Sequence, residues 1–558
     1  MDKLRGSFER GESVVYEEQA ILANLVATQA AAQADSDLLT FVHVDSDGAL
    51  KEEKRSYADL WRCGSRLAGG LRAEGMGSGD NFALVMQNHA EFVDVMVASS
   101  ICGTVFVPVD PRTRGDKLAY MLNFPDCRGA VVADYALDSV LAVLDQAPRL
   151  EWLWVLSTGG PGELPDCRLQ VKWLSDAAAV ADPVTEVAVV DPAEPMQMLF
   201  TSGTTGDPKA IVASYARFDA VSSIGPLIGL TQQDRLYTGL SLTHANAQLI
   251  TLGNALKMGL PCVVSRKFTK SRLWDICRQY GCTFFNLLGG MTTAIYSEPP
   301  RPDDAENPVR RVLSAGMPAS IWDNFAKRFD VEIFEFYGAA EGGMTFNPPG
   351  DGPVGSIGKP PPNLEGKIVD DNDNEVGAGE QGEIVFRNID GSCPVVSYFK
   401  NPEASAKKTR DGWLRMGDIG HRDADGWFYF DYRSGGGIRH NGDFVNPGFV
   451  EKVVAEHEQV DDVFVYGIEA ASGVPGEKDV IAAVVPLEPG QLDVPSLFRH
   501  CRAHLESNFV PTYIQVMDEI PKTASEKPQE RFCLEHFRQQ AQAVHTEQQS
   551  QGHKENKS

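Results

Sequence analysis

The stretch Leu-Phe-Thr-Ser-Gly-Thr-Thr-Gly-Asp-Pro-Lys-Ala at residues 199–210 narrows what this chain can fold into more than any other. Leu199 and Phe200 close an apolar run with Met196 and Met198, the pattern of a buried strand. Six of the next seven residues are Gly, Ser or Thr. Gly203 and Gly206 let the backbone bend and come close to a ligand, and the hydroxyls and N–H groups of Thr201, Ser202, Thr204 and Thr205 can line a concave anion site. Lys209 adds one fixed cation, so the loop suits a polyphosphate. A covered, mostly parallel sheet is the setting in which such a loop sits at the carboxyl end of a strand.

The spacing is not that of a Walker P-loop, which has four residues between its glycines and Lys-Ser/Thr directly after the second. Here Gly203 and Gly206 are three apart, and Pro208 biases Asp207 toward extended backbone rather than an immediate helix. Taken alone, a Ser/Thr/Gly-rich surface turn is the competing reading. The chain has 558 residues, room for roughly three or four domain-sized units. Its net charge of −26 argues against nucleic-acid or anionic-membrane partners, which want basic surface. An anionic substrate must then be held by a local cluster of cations and N–H groups. The ten cysteines are scattered without a C-x-x-C pair, which fits free thiols rather than a disulfide frame or zinc site. No signal-peptide core opens the sequence and no 18-residue apolar run occurs, so a soluble, cytoplasmic protein without an integral membrane segment is expected.

Between residues 21 and 190 helical and strand patterns alternate: helix over 21–34, strand over 82–86, helix over 91–101, strand over 104–109. Such units imply a mostly parallel, covered sheet. A second half follows, with strands over 260–265, 283–288 and 333–336 and helical periodicity over 270–280. From about 350 to 431 the texture turns to Gly/Pro-rich turns and short strands such as 382–387, the pattern of a small β-rich subdomain. Three glycines at 435–437 make a natural hinge. Beyond them, residues 438–537 read as an α+β unit with strands over 463–468 and 480–485 and a helix opening near Pro495, with Leu497, Cys501 and Leu505 on one face. The Gln/Lys/His-rich end is expected to be disordered.

The string at 199–210 closely resembles the phosphate-binding signature of the adenylate-forming superfamily of acyl-CoA synthetases, luciferases and peptide-synthetase adenylation domains. Further matches follow in order: Ser-Ala-Gly-Met-Pro at 314–318, Phe-Tyr-Gly-Ala-Ala-Glu-Gly at 336–342, Trp-Leu-Arg-Met-Gly-Asp at 413–418, and Pro-Lys-Thr-Ala-Ser-Glu-Lys at 521–527. With residues 301–308, the segment 314–318 looks most like the crotonobetaine/carnitine-type CoA ligases. The resemblance implies an α/β fold: a large N-terminal adenylation domain, 1–433, of two doubly wound sheets with the β-rich subdomain, then a mobile α+β C-terminal lid, 434–537, and a disordered tail, 538–558.

It also implies roles. Ser202, Gly203, Thr204, Thr205, Gly206, Thr201 and Lys209 would hold the phosphates, with Thr204 counted among the catalytic groups. Tyr337 would stack on adenine, Gly316 would let the backbone approach it, Asp418 would accept from the ribose hydroxyls, and Arg433 would reach ribose and phosphates. Glu341 would ligate Mg²⁺, and Lys527 would bridge the carboxylate and the α-phosphate, a task suited to a compact charge on a flexible stem. His244, Gly289 and Gly290 would border the acyl pocket, a core or capping role for His244 being the alternative; Gly442 belongs to the thiol tunnel and Gly435 to the hinge. Three positions depart from the pattern. Met416 stands where the motif has Thr. Ala340 replaces a phosphate-contacting Thr, and Glu526 replaces a Gly, where an acid next to Lys527 is expected to raise its pKa.

The reaction so implied is ATP-dependent ligation of a small-molecule carboxylic acid to CoA through an acyl-AMP. Delivery to a carrier-protein phosphopantetheine, luciferase-like oxygenation and a degenerate nucleotide-binding homologue stay open on the sequence, as does a homo-oligomer.

Overall fold

The computed structural model describes residues 18–45, 47–159, 162–179, 182–201, 208–392, 394–433, 438–440, 443–445, 447–471, 478–505, 507–523 and 526–547. Two compact units divide the chain: Met1–Asn286 with Asn307–Val312 and Val396–Ala406, and Leu287–Glu306 with Leu313–Val395 and Lys407–Ser558.

In the first unit a seven-stranded sheet runs Gln170–Trp173, Trp152–Leu156, Gly129–Ala133, Asn81–Val85, Val105–Val109, Pro195–Thr201 and Lys209–Ser214. All neighbours pair in parallel except the last two, which form an antiparallel hairpin. Its inner strands are unbroken apolar runs, Phe-Ala-Leu-Val and Val-Phe-Val-Pro-Val, because a parallel sheet is covered on both faces. The covering helix Ala90–Cys102 is buried nearly all round and stops at Gly103 in left-handed backbone (φ 72°). Against it lies the helix Tyr57–Ala73, started by a reciprocal Ser56–Asp59 capping box. The two approach closely because Gly64 has no side chain; a Cβ there would stand 2.5 Å from Val97 Cγ1. A second set of strands in this unit runs Leu236–Thr238, Cys262–Ser265, Leu39–Val44 and Leu50–Arg55, with only the last antiparallel.

In the second unit, Glu332–Ala339 and Gly342–Asn347 make an antiparallel hairpin. A four-stranded antiparallel sheet runs Leu364–Val369, Gly382–Asn388, Leu414–Arg422 and Phe428–Arg433. The C-terminal α+β portion has Val460–Glu469, Lys478–Pro486, Tyr513–Val516 and Val544–His545 in one sheet. Its core takes Leu497 and Cys501 from the helix Val494–His504 and Leu505 from the extended residue that ends it. One expectation is corrected. Residues 541–547 are ordered, not a disordered tail, because Val544–His545 pairs antiparallel with Gln515 and Ile514. Backbone pairing there outweighs a polar composition. The nine cysteines among the described residues are all free.

Candidate active site

Two antiparallel pairings in the second unit bring a tyrosine, an aspartate and an arginine together. Tyr337 does not lie past its strand, as the apolar run suggested, but within Glu332–Ala339, opposite Thr345. The short polar residues read as a loop pair instead as a hairpin, bulged at Gly338/Ala339, whose turn carries Glu341. Glu341 is 8% exposed. On the neighbouring sheet Asp418 is the direct cross-strand partner of Arg433. Register alone therefore sets their ion pair, Arg433 Nη1 to Asp418 Oδ1 at 3.4 Å. Tyr337 donates its hydroxyl to Asp418 Oδ2 at 2.5 Å, and burial, then the Asp418 charge, push the phenol well above its usual pKa. Asp418 itself is 4% exposed, and among the described residues its Oδ1 accepts no hydrogen bond. A buried carboxylate oxygen facing one guanidinium can accept from a ligand hydroxyl.

Lys527 belongs to the same group. Its loop is closed by Thr523, whose N–H donates to Lys527 O at 2.8 Å and whose hydroxyl accepts from Lys527 N at 3.1 Å. Glu526 sits at φ 59°, the left-handed region, which is the physical reason the motif carries glycine there. Its expected effect on Lys527 is not found. The Lys527 pKa is held below the ordinary lysine value, first by the protein crowded around its ammonium and next by Arg433, against the opposing pull of Asp418 and Glu341; Glu526 is not among the causes. The side chain keeps solvent access all the same.

The adenine-type loop has a support that sequence reasoning missed. Glu335, 2% exposed, accepts from Gly316 N at 2.5 Å and Met317 N at 3.1 Å, fixing Gly316 at φ 105°. Burial pushes its carboxyl up to about 8, although the two N–H bonds oppose the shift. The folded protein therefore holds a proton that the unfolded chain releases above about pH 4.3. Stability from this group is full below that pH and declines as pH rises through about 8. Glu335→Gln is expected to remove a slope of about 1.4 kcal/mol per pH unit in that window, so the gap between the two proteins in chemical-denaturation stability should change steadily with pH. A pH-independent gap would refute a shifted carboxyl. A second missed residue is Lys408, at the end of the helix Pro402–Lys408, whose ammonium donates to Met416 O at 3.0 Å. No motif spacing marks it.

In the first unit, Thr201 ends its strand opposite Lys209, and its hydroxyl donates to Lys209 O at 3.4 Å. The Lys209 ammonium stands 5.3 Å from the Tyr398 ring centroid. Ser202, Gly203, Thr204, Thr205 and Gly206 lie outside the described residues, as do Gly435 and Gly442. His244 precedes a π-helical segment, Asn246–Gly253, and its Nδ1 accepts from Asn246 N at 3.3 Å. The amide of Asn286, on the strand Phe284–Leu288, donates to Asn246 Oδ1 and accepts from the Thr251 hydroxyl at 2.8 Å, a buried polar network beside His244. In the other unit, Gly289 and Gly290 open the helix Gly289–Tyr296.

Residues 26–391 match the AMP-binding enzyme family, and residues 450–527 match the C-terminal domain of AMP-binding enzymes. The chain belongs to that family. Among relatives of this AMP-binding enzyme is a medium/long-chain-fatty-acid–CoA ligase, FadD17, of Mycobacterium marinum, 28% identical over 481 residues, 85% of this chain and 90% of the relative. A crotonobetaine/carnitine–CoA ligase of Escherichia coli is 28% identical over 482 residues, 85% and 91% of the two chains. The fold matches that of the anthranilate CoA ligase AuaEII in complex with anthranoyl-AMP, with TM-score 0.79 and 23% identity over 93% of this chain and 98% of that one. It also matches the O-succinylbenzoate CoA synthetase MenE of Bacillus subtilis in complex with ATP and magnesium ion, with TM-score 0.72 and 23% identity over 91% and 98%.

The side chains of this AMP-binding enzyme fit a magnesium ion of one kind. Among the described residues no three His, Cys, Asp or Glu side chains form an all-protein cage. The buried carboxylate of Glu341 would suit a Mg²⁺ that takes few protein ligands. Among the described residues no helix is long and apolar enough to cross a membrane.

Proposed function

We propose that this AMP-binding enzyme is an acid–CoA ligase that forms an acyl-AMP and then an acyl-CoA thioester. The observation that carries the reading is the convergence of Lys527, Arg433, Asp418 and Glu341: the charges acting on the Lys527 ammonium are those of the other three. The CoA ligases among its relatives support the reading. A carboxylate is a poor electrophile, so the first half-reaction makes it the nucleophile. Its oxygen bonds to the α-phosphorus of ATP, the bond to the bridging β-phosphate oxygen breaks, and pyrophosphate leaves. Two anions must meet for this, and preorganised cations lower that barrier. Lys527 stands between carboxylate and α-phosphate, Arg433 and Asp418 hold the ribose, Tyr337 faces adenine, and the loop from Thr201 to Lys209 grips the triphosphate. Glu341 would hold Mg²⁺, which when bound neutralises phosphate charge. In the second half-reaction the CoA sulfur attacks the acyl carbon and AMP leaves. The C-terminal domain, 434–537, rotates about Gly435 between the two, withdrawing Lys527 and opening the thiol path by Gly442.

A panel of carboxylic acids assayed for AMP release with CoA present tests the reading. At least one acid should give AMP and thioester in equal amounts; failure of every acid to drive exchange of labelled pyrophosphate into ATP would overturn it. By the resemblance, the small residues at 289 and 290 border the acid. Gly289→Leu should raise KM for the acid several-fold while KM for ATP stays put, and an unchanged acid KM would remove these glycines from the pocket.

A further inference from the structure

Two positions in this chain lack a hydroxyl that the family motifs carry: Ala340, beside Glu341, and Met416, two residues before Asp418. Beside Met416 the structure places a cation. Lys408 is held by the carbonyl of Met416 itself, at 3.0 Å. The charges that act on it are, in order, Glu341, Arg433, Asp418 and Glu383. Three of these are the groups that act on Lys527. The fourth, Glu383, is already satisfied by Arg415 at 2.6 Å and by Gly417 N at 2.9 Å. Lys408, Lys527 and Arg433 thus set three positive charges against the two carboxylates of Glu341 and Asp418. Lys408 therefore shares both of these carboxylates with Lys527 and Arg433.

We propose that Lys408 is a nucleotide-binding residue whose ammonium contacts the phosphate oxygens of the bound adenylate, taking the place of the hydroxyls missing at 340 and 416; the inference rests on the reading of this cluster as an adenylate site. Several observations favour a ligand contact over a surface helix end. A lysine closing a helix on the surface points its ammonium into water and serves the helix dipole. Here the ammonium turns inward to a carbonyl on the Asp418 strand, and crowding by protein lowers its pKa, the more so because Arg433 adds to the effect. Such an ammonium is incompletely compensated until an anion arrives. A phosphate ester brings that anion, and the contact is then charge-assisted.

The test compares wild type with Lys408→Met, which keeps the length of the stem and drops the charge, and with Lys408→Arg, which keeps the charge. AMP affinity is measured by calorimetry, and acid-dependent pyrophosphate exchange with KM for ATP and for the acid. Lys408→Met should bind AMP roughly 10- to 100-fold more weakly, the range for losing a hydrogen bond to a charged group. KM for ATP should rise with it while KM for the acid does not move. Lys408→Arg should recover most of the affinity, which a merely structural strut to Met416 would not require, and its folding guards against a Met variant that fails to fold. Wild-type AMP affinity in Lys408→Met, or a loss confined to the acid KM, overturns the inference and leaves the ligase reading intact. A wild-type protein that binds no AMP sinks both.

Discussion

Lys527→Ala is expected to slow acyl-AMP formation by on the order of 100-fold or more, the cost of removing one preorganised charge from a phosphoryl-transfer site. Thioester formation from supplied acyl-AMP should stay within a few-fold of wild type, because the proposed mechanism gives Lys527 no part in that step. The two half-reactions are read separately, by pyrophosphate exchange and by CoA-dependent AMP release from synthetic adenylate. Equal loss of both would refute the division of labour. The pH profile adds a check on the same residue. The ammonium is the working form, and crowding and Arg433 lower its pKa. Adenylation should therefore fall on the alkaline side at a lower pH than a free lysine would set, while the thioester half-reaction lacks that limb.

Asp418→Asn should weaken nucleotide binding nearly as much. The substitution keeps the shape but removes the charge opposite Arg433 and turns one acceptor that Tyr337 uses into a donor. The one remaining oxygen can serve Tyr337 or Arg433 but not both, and a buried polar atom left unsatisfied costs ~1–3 kcal/mol. AMP affinity should drop roughly 10- to 100-fold with the acid KM unchanged. Unaltered AMP affinity would show that Asp418 is a structural anchor for Tyr337 and nothing more. Tyr337→Phe is the companion variant, since it removes the internal hydrogen bond and keeps the ring.

Much of the scaffold is legible because parallel strands must be apolar on both faces: residues 82–86, 104–109 and 283–288 announce themselves by composition alone. The hairpin that holds Tyr337 is not, since Gly-Ala-Ala-Glu-Gly-Gly reads as loop and only cross-strand pairing with Met344 and Thr345 makes it strand. The short strand Val544–His545 hides in polar sequence for the same reason. Among site residues, the recurring motif strings point to Tyr337, Asp418, Arg433 and Lys527, and the fold brings them together. Lys408 and Glu335 carry no such signal, because their importance comes from what folding puts beside them. The strain at Glu526 is intermediate: a glycine in the motif marks the position, but the left-handed backbone behind that preference is visible only in three dimensions.

The cross-strand placement of Asp418 and Arg433 restricts how this protein can drift over generations. Side chains on a strand alternate between faces, so a one-residue slip in the pairing of these two strands would swing Arg433 to the far side and present Tyr432 or Ser434 in its stead. A two-residue slip would restore the face but set Asp431 or Gly435 opposite Asp418, so no slip of the register keeps the pair. A lineage carrying such a slip would keep its architecture and forfeit this ion pair.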